Sequence, residues 1–158
     1  MNEILDTLRT LYATAFTTQF RGYFKGKQKI SAVDDLPVLM VYGLATRQER
    51  SGTVRDKAEY DIAVEVRLSV KQYFDNTNGQ GTQLDALDAL TNLVENRNSG
   101  GDLETPTVMG VLNDNLTIGG LVLYTNSMEV RYEEYLEANS FPAVKAIVTF
   151  TAYDRPNR

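Results

Sequence analysis

The stretch EYDIAVEVRLSVK, Glu59 to Lys71, limits the possible folds of this chain more than any other. Tyr60, Ile62, Val64, Val66, Leu68 and Val70 share one parity, and Glu59, Asp61, Ala63, Glu65, Arg67, Ser69 and Lys71 share the other. Successive side chains of a strand point to opposite faces, so this alternation predicts a long strand with one buried and one wet face. Burying each large apolar side chain contributes about 1.5–3 kcal/mol. Ordering each residue's backbone costs about 1–2 kcal/mol. Such a strand is stable only inside a larger sheet with a helix laid against its apolar side.

Two segments offer that helix. Ile4, Leu5, Leu8, Leu11, Tyr12 and Ala15 recur at helical spacing and predict an amphipathic helix over residues 2–16. Asn2 is its expected N-cap, and Glu3 and Asp6 suit the positive end of the helix dipole. Leu84, Leu87, Leu90, Leu93 and Val94 predict a second helix over residues 83–97. Thr82 with Asp85 resembles a capping box there, and Asn98-Ser99-Gly100-Gly101 supplies the stop.

The remaining segments read as strands and connections. PVLMVYGLA, Pro37 to Ala45, is apolar on both parities and predicts a short strand buried on both faces. Residues 21–35 read as a connection with a short extended piece near Tyr23 and Phe24, and Asp34-Asp35 before Pro37 as a turn. The span from Thr105 to Glu137 predicts two or three further strands, with a bulge or bend at Gly119-Gly120. Pro142 opens a closing strand that turns Val144, Ala146, Val148, Phe150 and Ala152 to the core. Its other face holds Lys145, Thr149 and Thr151 but also Ile147 and Tyr153, so a second covering segment or subunit is expected there. The fold class that follows is α+β, a mostly antiparallel twisted β-sheet with two main helices packed on one face. Neither an internal repeat nor a linker interrupts the pattern, so a single domain over residues 1–158 is expected.

Composition narrows the chemistry. With neither cysteine nor histidine, the chain cannot build a Ser-His-Asp or Cys-His machine, and it lacks thiolate and imidazole metal ligands. No catalytic residue, cofactor-binding residue or metal ligand is assigned, and a non-enzymatic role is expected. Its net charge of −5 opposes generic binding along duplex phosphates. No apolar run approaches the roughly 20 residues of a membrane span, and the N-terminus lacks the basic and apolar regions of a secretory signal.

Three motifs fall short of their chemistry. Gly22 to Gln28 resembles a phosphate loop, but it has three residues between its glycines where that loop needs four, and Gln28 follows Lys27 in place of Ser or Thr. Counting a calcium loop from Asn76 puts Leu87 where the twelfth-position Glu is required. Glu133 and Glu134 are neighbours on a predicted strand, so they point to opposite faces and cannot work as a carboxylate pair.

Charge concentrates in two connections. Arg21, Lys25, Lys27 and Lys29 interleave with Tyr23 and Phe24, a pattern that can grip a nucleic-acid strand, meet an acidic neighbouring subunit, or simply be solvated. Residues 47–57 form a charged hairpin loop longer than a tight turn needs, with Arg47, Glu49, Arg50 and Arg55 as candidate protein contacts.

In its order of elements the chain resembles the tail terminator proteins of long-tailed bacteriophages. The likeness rests on a leading helix (ILDTLRTLYATAF), a short strand (PVLMVYG), a charged loop and a long alternating strand (YDIAVEVRLSV). A central helix (LDALDALTNLVEN) and an aliphatic-aromatic closing strand (AVKAIVTFTAYDR) complete it. The resemblance implies a structural protein that forms a hexameric ring on the tail tube, stops tube polymerisation and joins tail to head. Its partners would be other copies of itself, the tail tube protein and a neck or head-completion protein such as a stopper or connector, with DNA passing through the lumen. Neither a membrane nor a small-molecule substrate is implied. The implied location is the virion tail or neck, and the host cytoplasm during assembly. Other phage neck and tail-completion proteins share the pattern, and a small non-viral α+β module binding a peptide or nucleic acid is the alternative from another class.

Overall fold

A computed structural model describes residues 1–49, 57–71, 83–137 and 141–154. The first helix, α1, spans Asn2–Ala15 and buries Ile4, Leu5, Leu8 and Tyr12, so the apolar spacing of the sequence becomes its packed stripe. Met1 holds the N-cap position and Asn2, expected there, is already helical. The Tyr12 hydroxyl donates to the Val108 carbonyl at 3.1 Å, which satisfies its polar end inside the core.

The chain then forms β1 (Gly22–Lys25), a 3₁₀ turn (Val33–Asp35), β2 (Val38–Glu49) and β3 (Lys57–Ser69). Helices α2 (Gln83–Glu95) and α3 (Val108–Asp114) follow, and the chain closes with β4 (Val122–Thr125), β5 (Glu129–Leu136) and β6 (Pro142–Asp154). The fold is α+β around a mixed six-stranded sheet. Its order is β1-β2-β3-β6, with β4 and β5 both paired to the far side of β6. β1 lies parallel to β2, and the other pairings are antiparallel. β6 is therefore an interior strand, matched to β3 from Ala143 through Tyr153.

One face of the sheet holds the main core. Leu39 and Val41 of β2, the alternating apolar set of β3, and Val144, Ala146, Val148 and Phe150 of β6 meet residues of all three helices there. On α2, among the positions whose side chains are described, Ala86, Leu90 and Val94 are fully buried with Leu87 and Leu93 flanking them, and the Leu84 side chain lies outside the described residues. The capping box expected at Thr82 and the loop before it lie outside the described residues.

Two expectations need correction. The first concerns Thr105–Asn115, where a strand is expected and a helix is found, so the two strands between Thr105 and Glu137 both follow it. Val108, Val111 and Leu112 are buried at helical spacing, and Thr107 Oγ1 accepts the Gly110 N–H at 3.0 Å as an N-cap. Capping and burial override the strand preference of the β-branched residues. The second concerns the supposedly wet face of β3, where Ala63, Glu65 and Ser69 are fully buried. The connection between β1 and β2 folds across this face and sets Ile30 and Leu36 against Met40, Tyr42 and Ala63, with Ile147 beside them. This is the second cover that Ile147 called for. Near Gly119-Gly120 the expected bend is present, with positive φ at Ile118 (46°), Gly119 (65°) and Gly120 (83°).

Candidate functional site

The basic connection does not gather its four cations into one patch. Lys25 turns toward the helix side, where its Nζ lies 2.8 Å from Asp6 Oδ2 of α1. That hydrogen bond holds the Asp6 carboxyl below the usual carboxylate range, with the Lys25 and Arg9 charges helping against a desolvation that raises it. Lys27 goes to the other side and sits 4.8 Å above the centre of the Tyr42 ring, a cation–π contact. Arg21 and Lys29 remain exposed and flank a shallow cleft shared with Asp34 and Asp35. Between these residues, Gly26 adopts φ +91°, a left-handed turn suited to glycine.

The charged hairpin is shorter as a loop than its composition suggests. β2 continues through Thr46 to Glu49, in register with Lys57 to Tyr60 of β3. Arg47 makes a two-pronged ion pair with Asp61, at 2.6 and 2.8 Å, and reaches Glu59 Oε2 at 3.3 Å. The Thr151 hydroxyl donates to Asp61 Oδ1 at 2.7 Å. That bond is the main reason Asp61 titrates below the ordinary aspartate range; desolvation opposes it and Arg47 reinforces it. Arg47 thus binds the sheet to itself, although its side chain stays 57% exposed. Polar composition marked this arm as loop because it leaves the core, and an exposed strand looks the same. The Glu49 side chain, Arg50 and Arg55 lie outside the described residues.

A third group of residues, absent from the candidate contacts, forms a buried ionic cluster under the β1–β2 connection. Arg67 Nε donates to Glu65 Oε1 at 2.6 Å, and the Tyr42 hydroxyl donates to Glu65 Oε2 at 2.6 Å. Arg67 Nη1 reaches Glu137 Oε1 at 3.2 Å and the Gln28 carbonyl at 3.4 Å. Tyr135 donates to Glu137, and its ring receives Arg67 on one approach and Lys145 on another. Burial pushes the Glu65 carboxyl up, but the Tyr42 and Arg67 hydrogen bonds and the Arg67 and Lys145 charges together outweigh it and hold it below its ordinary value. Burial, then the neighbouring Glu65 carboxylate, drives the Tyr42 hydroxyl far above the usual tyrosine range. Such a cluster gives each buried charge a partner, with Arg67 shared between Glu65 and Glu137, and joins β2, β3, Glu137 and the covering connection into one unit. Its signal in the sequence was Ala63 and Ser69, small residues on the Glu65–Arg67 face that leave room for a cover.

The sheet ends in two unlike edges. β1 closes one side with Arg21 and Lys29 at its flanks. On the other side, β4 and β5 run end to end along β6 and are separated at Asn126–Met128. There Asn126 takes over the ladder, its N–H donating to the Thr151 carbonyl and its side-chain oxygen accepting the Thr151 N–H, both at 3.0 Å. Leu123, Tyr124 and Leu136 lie on this edge at 45%, 50% and 66% exposure. Glu133 lies there half-buried and ion-paired between Arg131 at 3.1 Å and Lys145 at 3.4 Å, and neighbouring Glu134 is exposed. Among the described residues no group of three or more Asp or Glu side chains is placed to hold a metal ion, and no helix is long and apolar enough to cross a membrane. Compared with known protein families and with curated proteins, the chain matches none.

Proposed function

We propose that this chain is a structural protein of virion assembly, a tail terminator of a long-tailed bacteriophage. It forms a hexameric ring that caps the tail tube, stops its polymerisation and presents a joining surface to the neck or head-completion protein. The sheet with its two main helices laid on one face is the body of each subunit. The observation that carries this reading is the pair of unlike sheet edges, neither of which is paired with a further strand among the described residues and one of which exposes Leu123, Tyr124 and Leu136. A lone soluble domain blunts or covers such edges. Two different patches on one subunit suit a heterologous contact, and rotation around an axis closes such contacts into a ring. An assembly role of this kind asks for no acid–base residue, cofactor or metal.

The test is to mix the purified chain with a phage tail tube protein and examine the product by negative-stain microscopy. Six-fold rings seated on the ends of tubes that stop lengthening are the expected result. Tubes that grow as long with the chain as without it overturn the terminator role. Rings that bind only a neck protein would move the chain to another neck or tail-completion position.

A further inference from the structure

We infer that copies of this chain join edge to edge, the acidic β5 edge of one lying antiparallel against the basic β1 edge of the next. The direction of the strands allows it. β1 runs with β2, β2 and β6 each run against β3, and β5 runs against β6. The two outer strands therefore run in opposite directions, and a second copy placed alongside in the same orientation brings β5 beside β1 as an antiparallel pair.

Charge favours this pairing over the others. On β5, Glu129 and Glu134 are exposed and enter no ion pair among the described residues, and Leu136 is 66% exposed. At the other edge, Arg21 and Lys29 are likewise exposed and without an ion-pair partner among the described residues; Asp34 and Asp35 line the same cleft, and Lys25 and Lys27 keep this edge net basic. A charged edge repels its own kind, so β5 against β5 and β1 against β1 are disfavoured. The mixed contact brings opposite charges together and pairs open backbone groups. β5 suits the role better than β4, because it runs eight residues without a break while Tyr124 of β4 is stacked on Tyr153. The contact names the two patches of the proposed ring; it rests on that reading for closure only, not for pairing.

Two double variants test it in the full-length chain. Arg21→Glu with Lys29→Glu makes both edges acidic, and Glu129→Lys with Glu134→Lys makes both basic. All four positions are exposed, and circular dichroism checks that each variant folds. By native mass spectrometry over a concentration series, each variant alone should self-associate at least about tenfold more weakly than the unmodified chain. An equimolar mixture should recover assemblies holding the two variants in equal numbers. Amides of β1 and β5 in the unmodified chain should exchange more slowly as assemblies form. Variants that assemble alone as well as the unmodified chain overturn the edge pairing, and so does a mixture that recovers nothing. An unmodified chain that stays monomeric up to its solubility limit also overturns the pairing, whereas the terminator role stands or falls separately on tube capping.

Discussion

Arg67 ties its strand to two segments far from it in the sequence. Its guanidinium holds Glu65, Glu137 and the Gln28 carbonyl, and its charge lies near the Tyr135 ring. Removing one partner of a buried pair leaves the other charge unmatched, so Arg67→Ala should cost about 3–5 kcal/mol of stability in urea unfolding. Glu65 makes the same cluster sensitive to acid. Its folded value is depressed below the ordinary glutamate value of 4.5, so its contribution is complete above that pH and is lost as pH falls through the folded value. The urea midpoint should therefore drop on acidification from about pH 5 to about pH 3. In Glu65→Gln that drop should be smaller, leaving the share due to other carboxylates such as Asp61. An unchanged slope in the variant would remove Glu65 from the acid response.

At the scale of elements, α3 shows why local preference misleads. Thr105, Thr107, Val108 and Val111 favour a strand, yet seven residues coil because Thr107 caps them and one side of the turn is buried. Gly110 makes the close fit possible. A Cβ there would stand 2.4 Å from the Glu104 carbonyl oxygen, which is backbone and cannot swing aside. Gly110→Ala should cost about 1–3 kcal/mol, as overpacking does, with a lowered thermal midpoint as the readout. A neutral result would mean that the 102–107 segment shifts freely. The β1–β2 connection is the other element hidden from sequence reading. Its basic residues suggested a surface loop, and its surface is indeed charged, but Ile30 and Leu36 beneath are 4% and 0% exposed. Two apolar residues six apart carry no periodic signal, so their role emerges only against the sheet.

For the whole molecule the decisive fact is the place of β6. It bonds to β3 along one side and to β5 and β4 along the other, so the last long segment of the chain completes the middle of the sheet. Truncation before Ala143 should leave β3 and β5 without a common neighbour and abolish cooperative unfolding, as monitored by circular dichroism. A folded, soluble truncated chain would show that the sheet closes without it. Much of the architecture was legible along the chain, because strand alternation and helical spacing are local consequences of which side chains seek the core. The buried faces of α1, β3 and β6 follow from Ile4, Leu8, Ile62, Val64, Val148 and Phe150, but β3 runs from Lys57 to Ser69, two residues earlier at each end than its alternation suggests, and Val70 and Lys71 are helical. Partnership was not legible. That β1 runs parallel to β2, that Lys25 meets Asp6 while Lys27 meets Tyr42, and that Arg47 is spent on Asp61 depend on residues far apart in sequence. Charge is what marks Arg21, Lys25, Lys27, Lys29 and Arg47 as candidate contacts, and charge alone does not say whether a neighbour in the same chain neutralises it. By itself the sequence determined which faces must be buried. The tertiary structure decided what buries them, because covering a face is a contact between segments that the order of residues does not specify.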